Sequence, residues 1–265
     1  GRYNMAITMV YAPPKRGKTL FLAYLVQKLA FDKNRTKQAK KEIANRCALG
    51  YPLQDFLEYK HFIFSNVEIR TKRNGYSQRL THYFNPFKVA VPNDKFETTF
   101  FPDYSIIIWD ECQKQLNSRK SLNRFTSAWF EQSGHMHYDI YLATQRPKLT
   151  DLNVRELITR FIYIDDVEFI ETKKGVETVI YTIEHTDCYA VEQFVSSGYK
   201  EPKGEKHIYH FAGDLRLCYD AYCYNENYYS GFVSTDPKIK VSFETNEEYN
   251  HSNVAEYTAP KGYYD

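Results

Sequence analysis

The sequence lacks the features that mark secreted and membrane-spanning proteins. Its five cysteines are an odd number, and none stands in a Cys-x-x-Cys pair. This favours free thiols in a reducing compartment over a disulfide framework or a zinc site. No run approaches the roughly 20 apolar residues that a transmembrane helix requires, and the N-terminus has no apolar signal-peptide segment. We therefore expect these residues to form a soluble protein.

A large net charge of either sign is also missing. The 35 basic residues nearly balance the 33 acidic residues, for a formal net charge of +2, and this balance does not demand a nucleic-acid partner. The densest basic group, Lys33–Lys41, predicts an exposed helical extension of the segment before it. We interpret its charged face as solvated, with a DNA-facing or lipid-facing patch as the alternative.

A phosphate-binding loop is predicted between an apolar strand-like run, Ala6–Tyr11, and a helix-like run, Leu20–Leu29. In this setting the ending Gly-Lys-Thr indicates backbone N–H groups that surround phosphates. Lys18 is expected to reach the β- and γ-phosphates, and the Thr19 hydroxyl to bind Mg²⁺. The predicted nucleotide-binding residues are Ala12, Pro13, Pro14, Lys15, Arg16, Gly17, Lys18, Thr19 and Leu20.

The loop departs from the usual pattern at its first three positions. Ala12 stands where such loops open with glycine, and Pro13 and Pro14 stiffen the backbone and remove two potential donors. Two alternatives therefore stay open: a basic turn that caps a core helix, and a loop that binds a nucleotide or a protein partner without turnover.

Two carboxylates at the end of a second strand-like run predict a metal and catalytic site. Ile106–Trp109 is apolar enough for a buried parallel strand, and Asp110 and Glu111 follow it directly. We expect Asp110 to share Mg²⁺ with Thr19, and Glu111 to orient and deprotonate the attacking water. An ordinary acidic strand-to-loop junction is the alternative, and the preceding phosphate loop weighs against it.

Further polar residues are candidates for completing the site. Gln145 ends the strand-like run Asp139–Thr144 and is expected to bridge the attacking water and the γ-phosphate. A polar strand end in a turn is the alternative. Arg119 or Arg124 is a candidate arginine finger toward a neighbouring subunit, although most surface arginines only aid solubility. The predicted catalytic residues are Lys18, Glu111, Gln145 and Arg119.

Alternating strand-like and helix-like segments predict a three-layer α/β fold, with a mainly parallel five-stranded core sheet that extends to Asp165. Abundant aromatic residues, 24 Tyr and 18 Phe, favour strands and contact surfaces over a helical bundle. Phe169–Glu171 and Val176–Glu184 predict an antiparallel hairpin. The expected domains are a P-loop core over residues 5–166, a β-rich extension packed on it over 167–232 and a flexible tail over 233–265.

These motifs resemble the zonula occludens toxin (Zot) family, the assembly ATPases of filamentous phages, over approximately residues 5–232. Cys112 replaces an alanine of the family, and Tyr219-Asp-Ala221 matches its late Tyr-Asp-Thr element approximately. His135 and His137 lie in a matched segment; with no third ligand at suitable spacing, we favour a structural or interface role over metal binding. The resemblance rests on Asp110-Glu-Cys-Gln113, Ser133-Gly-His-Met-His137, Asp139-Ile-Tyr-Leu-Ala-Thr-Gln145 and Arg160-Phe-Ile-Tyr-Ile164.

The resemblance implies a Mg²⁺-dependent, ATP-hydrolysing domain of the additional-strand type, in which the strand ending in Thr144-Gln145 separates the acidic strand from the phosphate-loop strand. It implies a role in the assembly and extrusion of single-stranded DNA virions at the host inner membrane. The implied partners are further copies of the chain in a ring, phage assembly proteins and a single-stranded DNA–protein complex.

Family members continue from their cytoplasmic domain into a transmembrane helix and an extracytoplasmic segment, and neither is found here. A truncated form and a relative without an anchor are both compatible with this sequence. Two other functions also stay open, a small-molecule kinase and a non-hydrolysing, nucleotide-dependent interaction module. No arginine-rich lid of the kinase type is evident, but Arg119 and Arg124 keep that question open.

Overall fold

The computed structural model describes residues 6–73, 76–86, 89, 101–119, 122, 124–200 and 204–219 of the 265. The strands in these ranges are β1 (Ile7–Tyr11), β2 (Ile63–Ser65), β3 (Arg70–Arg73), β4 (Tyr76–Arg79), β5 (His82–Tyr83), β6 (Ile106–Trp109), β7 (Asp139–Thr144), β8 (Arg160–Thr172), β9 (Gly175–His185) and β10 (Glu205–Phe211). The helices are α1 (Lys18–Leu29), α2 (Lys33–Ala48), α3 (Arg124–Gln132), α4 (Leu152–Glu156) and α5 (Cys188–Ser196).

The described residues divide into two compact units. The first unit comprises the described residues up to Leu25 together with Trp109–Leu217, and the second comprises Val26–Ile108 together with the described residues from Cys218 onward. The division into residues 5–166, 167–232 and 233–265 stays a prediction, and the predicted tail over 233–265 lies outside the described residues.

Strand β1 lies at the centre of the sheet in the first unit. It pairs in parallel with β7 on one side and with β8 on the other. Strand β9 then pairs antiparallel with β8, and β10 with β9. Because both sides of β1 are occupied, the acidic strand β6 is not its direct neighbour, and the strand ending in Thr144 is. These two features of the additional-strand arrangement are therefore confirmed.

Helices cover both faces of this sheet. Tyr163 and Ile164 are consecutive in β8, so their side chains point to opposite faces. The Tyr163 ring contacts Phe194 of α5, with ring centroids 5.2 Å apart. On the other face, a Cβ placed on Gly17, the residue just before α1, would lie 3.6 Å from the Ile164 side chain. The predicted three-layer architecture is thus present in the first unit.

The second unit holds three further parallel strands and a separate hairpin. Strand β2 pairs in parallel with β6 and with β5, and β3 and β4 form an antiparallel pair. All four residues of β6 are buried, as expected of a strand covered on both faces. Phe64, Phe84 and Phe101 pack edge to face, with centroids 5.4 Å apart in each contact. Aromatic residues therefore supply much of this core.

The structure confirms the five predicted parallel strands and the antiparallel hairpin, which is made by β8 and β9. It adds β3, β4, β5, β10 and α5, which the sequence analysis did not predict. The prediction that α1 extends into the basic segment was wrong. Helix α1 ends at Leu29, and the Asp32 side chain caps a new helix, accepting from the backbone N–H groups of Asn34 and Arg35 at 3.0 and 3.2 Å. In the described ranges, no helix has the length and apolar character needed to cross a bilayer.

Helix α2 is held in the second unit by a narrow buried stripe of Arg35, Ala39 and Ile43. The Arg35 guanidinium donates to the backbone carbonyl oxygens of Tyr104 and Ser105, at 2.7 and 3.1 Å. These carbonyls lie just before β6, so a buried cation fixes the start of the acidic strand against α2. Loss of this donor would destabilise the folded protein, because water cannot reach the buried carbonyl oxygens to replace it.

We predict that Arg35→Met lowers the free energy of unfolding by about 1–3 kcal/mol, the usual effect of leaving a buried acceptor without a donor. Urea denaturation followed by circular dichroism measures this change. Lys37→Met, at an exposed position of the same helix, is the matched control and should change stability by less than about 0.5 kcal/mol. Equal losses in the two variants would contradict a specific role for Arg35.

Candidate nucleotide-binding site

The predicted phosphate loop connects β1 to α1 in the first unit. Two of its residues have positive φ, Lys15 at 63° and Gly17 at 89°. A Cβ on Gly17 would lie 2.6 Å from a methyl carbon of Val167 in β8, so both the backbone angle and the space require glycine there. The loop is therefore shaped by its own backbone and by close contact with β8.

The backbone N–H groups of the loop are open. Among the described residues, the first hydrogen bond of α1 runs from the Phe21 N–H to the Gly17 carbonyl oxygen, at 2.9 Å. The six preceding N–H groups, from Lys15 to Leu20, donate to no protein acceptor in the described structure. They lie at the N-terminus of a helix, where the partial positive charge of the helix dipole adds to them. Such a group of donors fits a phosphate anion.

Two polar side chains at the start of α1 belong to the same segment as these N–H groups. The Lys18 side chain is only 6% exposed, and its ammonium donates to the Ala12 carbonyl oxygen at 3.2 Å, folding back over the loop. The Thr19 hydroxyl donates to Asp110 Oδ2 at 2.8 Å. This hydrogen bond joins the predicted phosphate loop to the predicted acidic strand end, which are 91 residues apart in sequence.

Asp110 is a buried carboxyl group. It is 3% exposed, and burial followed by the nearby Glu111 charge raises its pKa to about 6, against the opposing effects of the Thr19 hydrogen bond and the Lys18 charge. Its second oxygen accepts from the Glu111 backbone N–H at 2.9 Å. The protein therefore places a carboxylate where its charge is unfavourable without a cation.

Glu111 has an unusual backbone conformation and two amide neighbours. Its φ is 50°, in the left-handed region that non-glycine residues seldom adopt outside functional sites. Oε2 of its carboxylate accepts from the side-chain amide of Gln113 and, at 3.5 Å, from that of Gln145. The structure thus brings the two predicted catalytic residues, Glu111 and Gln145, into contact. Gln113 belongs to the resemblance motif but was not predicted as a site residue.

The other predicted residues lie apart from this cluster. Arg119 is exposed, and its side chain makes no hydrogen bond or ion pair with any described residue. Its loop is held by a bridge between Asn117 and Thr150. The Arg124 guanidinium lies over the ring of Phe125, 4.9 Å from the centroid.

Within the loop, the first and last predicted residues contribute through their backbone. Ala12 is fully buried and Leu20 is 9% exposed, so their side chains face the core. Pro13 and Pro14 lack an N–H group, which agrees with an open donor set that begins at Lys15.

His137 has positive φ, 57°, and lies in the turn that leads into β7.

The residues at the strand end also fit Mg²⁺. The ion prefers oxygen ligands, commonly one or two carboxylates together with substrate phosphates. A hydroxyl and a buried carboxylate lie 2.8 Å apart here, directly beside open anion donors. Burial raises the pKa of Asp110, and the charge of a bound cation would lower it again by favouring the ionised carboxylate.

A mainly parallel sheet with helices on both faces and an open loop between β1 and α1 is the fold of the P-loop nucleoside triphosphatases. Among solved structures, the chain is similar to the N-terminal domain of zonular occludens toxin from Neisseria meningitidis. The identity is 21%, over 82% of this chain and 99% of that one, with a TM-score of 0.48.

The genome-packaging NTPase B204 from Sulfolobus turreted icosahedral virus 2, in complex with ATP-gammaS, is 13% identical over 71% of this chain and 99% of that one, with a TM-score of 0.37. No protein-family model and no curated protein matches the chain. The function therefore has to be argued from the geometry of the site.

We predict that the metal-free protein loses stability as the pH rises from about 4 to about 6. An acid whose pKa is higher in the folded state binds more protons there than in the unfolded state, so stability falls with pH until the folded pKa is passed. A pKa of about 6 for Asp110, against 3.8, corresponds to a loss on the order of 2–3 kcal/mol.

The measurement is urea denaturation at a series of pH values in a chelating buffer. Asp110→Asn removes the titrating group and should remove this loss, so that the variant is more stable than the parent at pH 7. Asp165→Asn, at an exposed position, serves as the control. Parallel pH profiles for the parent and Asp110→Asn would contradict the interpretation.

Proposed function

We propose that this protein is a Mg²⁺-dependent ATPase. The observation that carries the proposal is the group of six open backbone N–H groups from Lys15 to Leu20. Open donors at a helix N-terminus are unfavourable unless an anion or water satisfies them. A triphosphate satisfies several at once, and the Lys18 ammonium can leave the Ala12 carbonyl to join them.

Four residues of the chain would then have separate roles in metal binding and hydrolysis. Thr19 and Asp110 would hold Mg²⁺, which neutralises charge on the phosphates when bound. Glu111 would accept a proton from the attacking water, and Gln145, already within 3.5 Å of Glu111, would orient that water.

Hydrolysis is favoured over the two alternatives by the residues next to Asp110. A small-molecule kinase has no need for a carboxylate beside the metal ligand that contacts a polar strand end, as Glu111 and Gln145 do here. A module that binds nucleotide without turnover does not need this pair either. The two prolines of the loop, by contrast, are compatible with all three functions, because the open donors begin after them.

We further propose that hydrolysis powers the assembly and extrusion of filamentous phage at the host inner membrane. Support comes from the motif series between residues 105 and 165, which resembles the Zot family. The proposed partners are other copies of the chain in a ring, phage assembly proteins and a single-stranded DNA–protein complex. The proposed location is the cytoplasmic face of that membrane.

Arg119 is proposed to complete the site of a neighbouring subunit. Its side chain is exposed and makes no polar contact with the described residues, while the loop that carries it is fixed at Asn117. The Arg119 backbone N–H also donates to the Asn117 side chain at 2.8 Å, so an exposed cation on this held backbone can reach a partner with a smaller ordering penalty. Arginine fingers of this kind stabilise charge on the γ-phosphate in the transition state.

We predict that Glu111→Gln lowers the rate of phosphate release about 10²–10⁴-fold, the usual contribution of a general base, while binding of a fluorescent ATP analogue stays within about twofold. Glu131→Gln, at an exposed position of α3, is the matched control and should match the parent. Equal phosphate release in Glu111→Gln and the parent would reject Glu111 as the base.

We predict that Lys18→Ala and Arg119→Ala subunits, each inactive alone, recover hydrolysis when mixed, because a mixed interface can pair an intact loop with an intact arginine. Recovery should increase with protein concentration. Arg124→Ala replaces Arg119→Ala in the control mixture. If light scattering confirms assembly and no ratio of subunits restores activity, Arg119 is an ordinary surface charge.

A further inference from the structure

Helix α2 has an outward face whose charge is not balanced by any described residue. The buried stripe of the helix is formed by Arg35, Ala39 and Ile43. At 100° per residue, four lysines fall within an arc of about 100°. Three of them are exposed on the side opposite the buried stripe, and Lys40, at the edge of the arc, is half-buried. We call them the lysine stripe; they are Lys33, Lys37, Lys40 and Lys41.

The arginines of the second unit whose side chains the structure describes differ from these lysines because they have structural partners. Arg46 contacts Glu42 at 3.2 Å and Asp103 at 3.4 Å, and Arg79 contacts the buried Glu68 at 3.4 Å. By contrast, none of the four stripe ammonium groups has a hydrogen-bond or ion-pair partner within the described ranges. The unit therefore uses arginine to hold its fold together and leaves the stripe lysines free.

The stripe does not help α2 to form. Lysines separated by four residues are neighbours on a helix, so Lys33, Lys37 and Lys41 repel one another by a few tenths of a kcal/mol per pair. The sequence between residues 26 and 108 contains 14 basic and 8 acidic residues, a net charge of +6, although the whole chain has only +2. Positive charge is thus concentrated in this part of the chain, and the stripe is its free portion.

The side chains around the stripe favour a phosphate backbone over a lipid surface. A helix that lies in a membrane interface needs large apolar residues beside its cations. The other exposed positions along α2 hold small or amide side chains. The two exposed large apolar residues nearby lie outside the helix: Phe31 precedes the N-cap, with its ring 5.8 Å from that of His61, and Leu49 is the C-cap. Lysine is a point charge that binds phosphate without reading bases.

We propose that the lysine stripe of α2 binds the phosphodiester backbone of nucleic acid without sequence preference. The stripe extends over about 12 Å along the helix axis, from Lys33 to Lys41, so it can contact several consecutive phosphates. This binding needs neither ATP nor turnover. It goes beyond the proposed hydrolysis and can be true or false independently of it.

The test is fluorescence anisotropy with a labelled 20-nucleotide DNA strand of mixed sequence, without nucleotide, over a series of salt concentrations. In Lys33→Gln/Lys37→Gln/Lys40→Gln/Lys41→Gln, the slope of log K against log salt should fall by up to about 3, since each lost phosphate contact on a single strand removes about 0.7. Affinity at low salt should fall at least tenfold. Glutamine keeps the helix propensity close to that of lysine.

The matched control removes four exposed lysines of the first unit, Lys173, Lys174, Lys200 and Lys206, and so makes the same change in net charge. It should keep at least half of the parent slope. Equal losses in the two variants, or no loss in the stripe variant, would overturn the proposal. So would parent binding to phosphatidylserine vesicles without binding to DNA. Duplex DNA of the same sequence then distinguishes a single-stranded from a double-stranded ligand.

Discussion

The site depends on keeping the Asp110 carboxylate out of water beside the phosphate loop. A single hydrogen bond, from the Thr19 hydroxyl to Oδ2 of Asp110, joins two segments that fold from distant parts of the sequence. Burial that raises the pKa of Asp110 to about 6 makes the charged form unfavourable in the metal-free protein. The same burial would strengthen its attraction to a cation, because water screens the charge less. Stability and metal affinity are therefore opposed at this residue.

In the backbone of the phosphate loop, stability and ligand binding are opposed in the same way. The six N–H groups from Lys15 to Leu20 have no protein acceptor among the described residues, and Gly17 has a φ of 89° that side-chain-bearing residues seldom adopt. Folding leaves these donors to water or to an anion. A fold that holds them open must be stabilised elsewhere, and the fully buried strand β1, flanked by two parallel neighbours, supplies that support.

Much of this could be predicted from the sequence because the signals are local. Apolar runs mark β1, β6 and β7, and the polar residues at their C-terminal ends follow directly in the sequence. Features that depend on tertiary packing could not be predicted. The Asp32 side chain caps a new helix where a continuous one was predicted. Strand β10 forms by pairing with the edge strand β9. The contact of Gln113 with Glu111 results from the left-handed turn at Glu111, and the sequence contains no glycine that would have indicated one there.

The long strand β8 connects the antiparallel hairpin to the phosphate loop. Its first residues pair with β1, and its later residues pair with β9. Val167 belongs to the later part, yet it is close to the phosphate loop. A Cβ added to Gly17 would be 2.6 Å from a methyl carbon of Val167. The hairpin strand therefore forms the wall behind the loop, although the predicted boundary between residues 166 and 167 would assign it to a separate extension. A displacement of β8 along β1 would move that wall, and the open donors of the loop would lose the conformation that points them toward one anion.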